Sequence, residues 1–330
     1  MTVTEAFEGL RPLMFSIAYR MLGSVADAED IVQEAFLRYH RVVTDGSAVE
    51  SPKAFLSSVT TRLSIDQLRS ARSRREFYVG PWLPEPVLTG VAAGGGGTAS
   101  GPVALSPVAT GPPAPDPAAH AEDADSLSMA FLLLLERLSP TERAVFLLHD
   151  VFDYGYSEIA GIVGKSEDNC RQLARRARQH VAEHKPRFEA SRRERDELAA
   201  RFFAVLGEGD MSGLVDLLAA DVVVYGDSGG THPSWPRPIV GRDNVRRLVA
   251  SLSGQVRELG VTLRRAEING QPGAMFYDSS GLLVSVLCLD IADGVVQAVR
   301  SVINPDKLHH LGRLSDFRTQ LRAPRTTSEG

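Results

Sequence analysis

The chain has 330 residues, of which 43% are hydrophobic, and a formal net charge of −5. This length accommodates roughly two or three domains, and the negative charge argues against a protein that coats nucleic acid through bulk positive charge. The N-terminus lacks a signal-peptide pattern and no apolar run approaches the length of a membrane span, so we expect a cytoplasmic protein.

Residues 1–78 are predicted to be all-helical, because apolar side chains recur at helical spacing through three segments. The second helix begins after Ser24, which can cap a helix N-terminus. Acidic residues stand on its first turns without a basic residue among them. The helix dipole favours such a start, but it accounts less well for an acid two turns in, and we interpret the surface as a docking site for a basic partner. This surface comprises Asp27, Glu29, Asp30, Gln33 and Glu34.

A third helix is predicted to begin at Ser51 and Pro52, since a capping serine before proline is typical of a helix start. Its end is basic, with five arginines against two acids over residues 62–76. An ordinary charged helix end is one interpretation, and a DNA-binding surface is the other. Arg62 and Asp66 are four residues apart and could pair. On the second interpretation, the candidate DNA contacts are Arg62, Asp66, Arg69 and Arg72.

Residues 79–125 are predicted to be a flexible linker. Gly, Ala and Pro fill 21 of the 32 positions from 88 to 119, and such a segment buries too little apolar surface to offset its ordering entropy. A short non-helical segment at residues 82–86, which includes Trp82, precedes this stretch. It could anchor the linker against a folded domain.

Residues 126–187 are predicted to form a compact four-helix unit that ends in a helix-turn-helix. Gly164 suits the positive φ that terminates a helix, and the following segment, residues 165–187, has seven basic residues against three acids, a balance of +4. Its polar side chains can reach base edges or phosphates, although a solvated amphipathic helix is the alternative. The candidate DNA contacts are Lys165, Ser166, Asn169, Arg171, Gln172, Arg175 and Arg176.

From residue 195 to 309 the pattern changes to helices followed by alternating strands, which predicts an α+β domain with an antiparallel sheet. Residues 310–330 are expected to be a disordered tail. Asp227, His232 and Asp290 could supply acid–base groups, but no nucleophile–base or metal-ligand spacing appears. Cys170 and Cys288 are predicted to be buried thiols. We therefore predict no catalytic residue, no metal site and no cofactor.

A small-molecule ligand remains an alternative for this domain. An apolar core explains the same aromatic residues without a ligand. A pocket would be lined by Tyr225, Trp235, Phe276 or Tyr277.

Several motifs resemble those of the extracytoplasmic-function sigma factors of bacterial RNA polymerase. Residues 27–36, DAEDIVQEAF, are similar to the family's region 2 helix, and residues 138–143, LSPTER, with the helix-turn-helix are similar to region 4. The C-terminal part resembles the subgroup, including the sigma-J type, that carries a SnoaL-like domain. That subgroup's signatures are matched by WLPEP at 82–86 and NPDKL at 304–308, and imperfectly by DSGGT at 227–231.

The resemblance implies two all-α domains, sigma region 2 and region 4, followed by an α+β cone. It implies that the acidic helix docks on core RNA polymerase and that the helix from 57 to 75 reads and opens the −10 promoter element. The helix-turn-helix would read the −35 element. The C-terminal domain would regulate in cis through a regulatory interface of Trp82, Pro84, Glu85, Asp227, Asn304, Pro305, Asp306 and Lys307.

Two other functions stay open on the sequence. A ligand-responsive repressor would use the helix-turn-helix without polymerase, but it has no need of the acidic helix. A DNA-tethered isomerase or cyclase would place its chemistry in the C-terminal domain.

Overall fold

The structure is a computed structural model that describes residues 3–75, 78–91, 125–184, 191–230, 237–258 and 260–316. The described residues form two compact units. The helical unit contains residues 3–75 and 125–184, and the α+β unit contains residues 78–91 and 191–316 with the stated gaps. Within the described ranges, no helix is both long and apolar enough to cross a membrane.

The first part of the helical unit has three helices, as predicted. They are α1 (Val3–Leu22), α2 (Val25–Thr44) and α3 (Pro52–Arg75). The Ser24 hydroxyl accepts a hydrogen bond from the Asp27 amide at 3.1 Å and caps α2. The apolar positions at helical spacing face inward: Ile17, Met21 and Leu56 are at most 1% exposed.

The second part of the helical unit contains the predicted helix-turn-helix. Its helices are α4 (Met129–Leu135), α5 (Pro140–Phe146), α6 (Tyr156–Val163) and α7 (Glu167–His184). Ser139 and Glu142 form the predicted capping box at the start of α5. Gly164 ends α6 at φ +67°, a conformation that favours glycine because it has no Cβ. After α5 the chain makes a π-helical turn, Leu147–Val151.

The α+β unit has three helices, α8 (Arg192–Glu208), α9 (Met211–Leu217) and α10 (Arg242–Glu258). Its strands are β1 (Leu88–Val91), β2 (Leu218–Asp227), β3 (Ile239–Val240), β4 (Thr262–Ile268), β5 (Gln271–Tyr277), β6 (Leu283–Ala292) and β7 (Val295–Val302). They lie in the order β1-β4-β5-β6-β7-β2-β3. Two short 3₁₀ turns follow, Pro305–Lys307 and His309–Leu311.

The sheet is mixed, so the expectation of an antiparallel sheet is wrong in one respect. β2 runs parallel to β7, while the other neighbouring pairs are antiparallel. A long connection through α10 and four strands separates β2 from β7, and parallel neighbours require such a crossover. One face of the sheet packs on the helices through an apolar core that includes Phe202, Phe203, Leu214, Val245 and Leu289.

Strand β1 corrects the linker prediction. Residues 88–91 fall in the stretch predicted to be mobile, yet they pair antiparallel with β4 at the edge of the sheet. The reason lies in tertiary pairing, because an exposed sheet edge offers unpaired backbone groups to any nearby segment. The tail prediction is wrong for residues 310–316, because the Leu283 amide donates to the Arg313 carbonyl oxygen at 2.9 Å and the Ser315 amide donates to that of Leu283 at 2.8 Å. Residues 92–124 and 317–330 lie outside the described ranges.

Candidate functional site

The acidic surface on α2 is partly neutralised by neighbouring arginines. Glu29 pairs with Arg11 at 2.6 Å, and Glu34 pairs with Arg38 at 2.7 Å. Both pairs are solvent-accessible, so each contributes little to stability. Asp27 accepts a hydrogen bond from the Gln67 side chain at 3.1 Å.

Asp30 and Gln33 make no side-chain contact with another polar group in the described residues, and both are exposed. Leu37 lies one turn after Gln33 and is 50% exposed, an unusual exposure for a large apolar side chain. Spacing of three and four residues puts these side chains in one row along the helix. We call Asp30, Gln33 and Leu37 the outer row of α2. Sequence reasoning missed Leu37 because it considered only the charged and polar members.

Two of the candidate DNA contacts on α3, Arg62 and Asp66, do not pair with each other but with other groups. The Arg62 guanidinium donates to the backbone carbonyl oxygens of Gly161 and Ile162, both at 2.8 Å. Asp66 instead pairs with Arg69 at 3.3 Å, and both side chains are more than 60% exposed. The partner of Arg62 is set by the tertiary packing of α3 against α6. Residue spacing along α3 alone could not reveal this packing. The side chain of Arg72 lies outside the described residues.

Helix α7 presents its polar side chains to solvent. Arg171 pairs with Glu167 and with Asp168 on the preceding turn. Among the described residues, Lys165 and Arg175 make no ion pair, and both are exposed. Lys165, in the turn before α7, and Arg175, on α7, can therefore contact phosphate without first breaking an ion pair.

The remaining candidates on α7 are arranged as the sequence suggested. Ser166 accepts a hydrogen bond from the Asn169 amide at 3.3 Å, which caps the helix. Arg176 approaches Glu142 at 3.6 Å. The buried face includes Cys170, Ala174 and Ala177, each 0% exposed, so the outward-facing side chains are Asn169, Arg171, Gln172, Arg175 and Arg176.

The residues predicted to form the regulatory interface come together inside the α+β unit. The centre is Asp227, which is 0% exposed. Its carboxylate accepts hydrogen bonds from the Leu83 amide and the Lys307 ammonium, each at 2.7 Å. It also accepts from the Tyr78 hydroxyl and from the Gly229 amide. We call Tyr78, Trp82, Asp227, Asn304 and Lys307 the linker anchor.

Lys307 connects both sides of the linker anchor. Its ammonium donates to the Leu83 carbonyl oxygen as well as to Asp227. It also lies 4.3 Å from the centre of the Trp82 ring and 4.9 Å from that of Tyr78. Aromatic faces attract cations, most strongly when water is excluded, and Lys307 is 6% exposed.

Asn304 fixes the loop that carries Asp227. Its side-chain amide donates to the Tyr78 hydroxyl at 3.0 Å, and its carbonyl oxygen accepts from the Asp306 amide at 3.1 Å. Gly229 has φ +59°, and a Cβ there would lie 2.5 Å from Asn304 Nδ2. Glycine is therefore required at the third position of the DSGGT loop. Burial, reinforced by the Asp227 carboxylate, raises the pKa of Tyr78, which keeps its hydroxyl protonated as a donor.

Other residues of the predicted regulatory interface lie next to the linker anchor in the sequence. Pro84 and Glu85 are buried, whereas Asp306 is exposed. The Val87 amide donates to the Asn269 side chain at 3.0 Å, and His310 bonds to the Pro86 carbonyl oxygen at 2.7 Å. Residues 78–91 are thus attached to the α+β unit along their length, ending in strand β1.

The candidate acid–base groups are engaged in structural contacts. Asp290 pairs with Arg300 at 2.6 Å, and both side chains are less than 10% exposed. Arg300 also lies over the Tyr225 ring at 4.7 Å. Among the described residues, no cluster of metal-ligating side chains is present. His232 and Trp235 lie outside the described residues.

Comparison with known proteins assigns each part of the chain. Residues 6–74 match the sigma-70 region 2 family, residues 128–181 match sigma-70 region 4, and residues 199–301 match the SnoaL-like domain. The chain is 37% identical over 318 residues to the ECF RNA polymerase sigma factor SigJ of Mycobacterium tuberculosis, covering 93% of each chain. The chain belongs to the extracytoplasmic-function sigma factors.

Two further comparisons agree with this family. The probable ECF RNA polymerase sigma factor SigI of Mycobacterium tuberculosis is 29% identical over 309 residues, covering 94% of this chain and 96% of that one. The crystal structure of Mycobacterium tuberculosis SigJ superposes with a TM-score of 0.68 at 36% identity, covering 95% of this chain and all of that one. The predicted fold class and sigma factor function are therefore confirmed.

Proposed function

We propose that this sigma factor binds core RNA polymerase through the outer row of α2 and contacts promoter DNA through α3 and α7. The observation that carries the proposal is the separation of charge within one unit. Within the described ranges, Asp30 makes no polar side-chain contact on the exposed face of α2, and Lys165, in the turn before α7, and Arg175, on α7, make no ion pair. An acidic protein with two local basic surfaces can bind a promoter well only when a partner holds both surfaces in place.

A charge reversal tests the polymerase contact. Asp30→Arg is expected to weaken binding to core polymerase at least tenfold, because like charges replace opposite ones at the interface. Asp216→Arg makes the same charge change at an exposed position of α9 and should bind as the original chain does. Affinity is measured by titration of core enzyme, and specific initiation by run-off transcription. Equal affinities for the two variants would contradict the role of α2.

We further propose that the C-terminal domain regulates the sigma regions in cis by holding residues 78–91. These residues are the start of the connection between regions 2 and 4, and the linker anchor fixes them through buried hydrogen bonds. Asp227→Asn removes the charge that Lys307 requires, whereas Asp221→Asn makes the same change at an exposed position of the same strand. Transcript levels in a purified system should change several-fold for the first variant and stay constant for the second. Equal transcript levels for the two variants would contradict the proposed regulation in cis.

We infer that the C-terminal domain is not catalytic and that it needs no cofactor. Its sheet face packs against the helices through an apolar core. Asp227 and Asp290 are both bound to cations in the structure. Conversion of a ketosteroid or polyketide probe by the purified chain would overturn this inference.

A further inference from the structure

The arginines on α7 are not equally restrained. Spacing of four and three residues puts Arg171, Arg175 and Arg178 on one side of the helix, and all three are exposed. Arg171 pairs with Glu167, and it pairs with Asp168 at 3.3 Å. Within the described ranges, Arg175 makes no ion pair. Arg175 can therefore turn towards any phosphate within reach, whereas two carboxylates hold the Arg171 guanidinium.

Tyr156, the first residue of α6, makes a third contact with Arg171. The Arg171 guanidinium carbon lies over the Tyr156 ring, 5.4 Å from its centre. A planar guanidinium stacks on an aromatic face, which attracts the positive charge. The guanidinium thus has two carboxylates and one aromatic ring around it, and these contacts together favour one orientation of its donors.

The π-helical turn that follows α5 supports the Tyr156 ring. His149 lies on this turn, and its ring centre is 4.2 Å from that of Tyr156. His149 Nδ1 lies 2.9 Å from the Tyr154 carbonyl oxygen, which can only accept a hydrogen bond, so this nitrogen donates. Asp150 on the same turn pairs with Arg178 at 2.6 Å. Two successive residues of the turn therefore hold parts of the helix-turn-helix in place, and π turns are frequent at functional sites.

The acids at the start of α7 indicate which part of DNA lies against this end of the helix. Glu167 and Asp168 would repel a phosphate, whereas the N-terminal residues of a recognition helix contact base edges in the major groove. In that groove, an arginine pairs with O6 and N7 of guanine, and a carboxylate accepts from N4 of cytosine. Arg171 together with these acids therefore fits a G·C base pair.

We propose that Tyr156 is a positioning residue for promoter recognition, and that its ring holds the Arg171 guanidinium in the orientation that pairs with guanine in the −35 element. This rests on the proposed promoter contact of α7. An arginine that is oriented before binding loses less conformational freedom when it pairs. Only a base whose acceptors match that orientation gains from it, so the ring increases discrimination between bases. Arg175 instead binds phosphate and adds affinity without sequence preference.

Selection from DNA duplexes with randomised −35 and −10 regions tests this role. The full-length chain is bound to core polymerase, and the retained duplexes are sequenced. Arg171→Ala should lower the preference for guanine at one position about fivefold or more. Tyr156→Leu and Tyr156→Met should each lower it at the same position, about two- to fivefold, the contribution of an exposed cation–π contact. Tyr156→Phe keeps the ring and should select the same sequences as the original chain.

Arg175→Ala is the matched control on the same side of α7. It should weaken binding to all sequences alike and reduce the salt dependence by about one counterion, without changing any base preference. Circular dichroism identifies variants that fold, and two variants without the ring are included so that one misfolded variant does not end the test.

Three outcomes would overturn the positioning role of Tyr156. The variants without the ring could keep the preference for guanine, or lose a preference at a position that Arg171→Ala does not affect. Uniform weakening by Tyr156→Phe would mean that the hydroxyl itself binds phosphate. If the original chain with core polymerase selects no sequence and starts no transcript, the promoter contact of α7 fails, and this inference fails with it.

Discussion

Lys307 in the α+β unit and Arg62 in the helical unit both donate to backbone carbonyl oxygens, but water reaches only one of them. The Lys307 ammonium is buried beside the buried Asp227 carboxylate. The Arg62 guanidinium is exposed and faces two neutral carbonyls. Removing one member of a buried ion pair leaves an uncompensated charge, whereas an exposed arginine can exchange its partners for water at little cost.

This difference separates a permanent contact from a reversible one. The linker anchor is part of the folded α+β unit, so residues 78–91 should stay attached in any state in which that unit is folded. The contact between α3 and α6 has the weaker energetics expected of a conformational equilibrium. Movement between sigma regions 2 and 4 is therefore expected in the helical unit and after residue 91, and not between residue 78 and strand β1.

The largest expected effect is on the linker anchor. Lys307→Met keeps the length of the side chain but leaves Asp227 buried without its cation, and should lower the free energy of unfolding by about 3–5 kcal/mol. Urea unfolding can be followed by the fluorescence of Trp82 in a Trp235→Phe background, since the sequence has two tryptophans. Asp306→Asn, whose side chain is 82% exposed, should unfold as the original chain does.

A double variant sharpens this measurement. Adding Asp227→Asn to Lys307→Met removes the buried charge that the single variant leaves behind. The combined loss should therefore be smaller than the sum of the two single losses. Additive losses would mean that the two side chains stabilise the unit independently.

A smaller effect is expected from pH, through His310. Burial lowers the pKa of His310 below its usual value near 6.5, although its bond to Pro86 and the nearby Glu85 act in the opposite direction. As the pH falls through about 6.5, the usual pKa of histidine, His310 takes up a proton in the unfolded chain but stays neutral in the folded chain. Stability of the α+β unit should therefore fall between pH 7.5 and 5.5, by at most about 1.4 kcal/mol per pH unit for one proton.

His310→Gln separates this contribution from those of other histidines. Glutamine can still donate to the Pro86 carbonyl oxygen but does not titrate. Urea midpoints of the variant should depend less on pH over this interval than those of the original chain. An identical pH dependence would assign the effect to other groups.

The helices and their caps could be read from the sequence because their causes are local. Ser24, Ser139 and Gly164 act on residues within four positions, and each does in the structure what its spacing predicts. Five strands were predicted from their residue patterns, but the short strands β1 and β3 were not, and neither was the parallel pairing of β2 with β7. Pairing depends on which distant segment lies alongside, and one strand's pattern does not specify its neighbour.

The candidate sites also depend partly on contacts between residues that are distant in the sequence. WLPEP and NPDKL were placed together by resemblance, and the structure joins them through Lys307, Leu83 and Asp227. Periodicity could not have shown this, since 224 residues separate Lys307 from Leu83. The partner of Arg62 was mispredicted for a related reason. Asp66 was the nearest opposite charge along the helix, but two carbonyls about 100 residues away were better placed.

The smallest expected effect concerns Arg62 itself. Arg62→Ala should lower the free energy of unfolding of the helical unit by about 1 kcal/mol or less, because its hydrogen bonds are solvent-accessible. Arg69→Ala removes an exposed pair on the same helix and should cost about 0–0.5 kcal/mol. The free energies of unfolding of the two variants can be compared by following helix content with circular dichroism during urea unfolding. If Arg62→Ala were as destabilising as Lys307→Met, the two contacts would be energetically alike, and the contact between α3 and α6 would not be the reversible one.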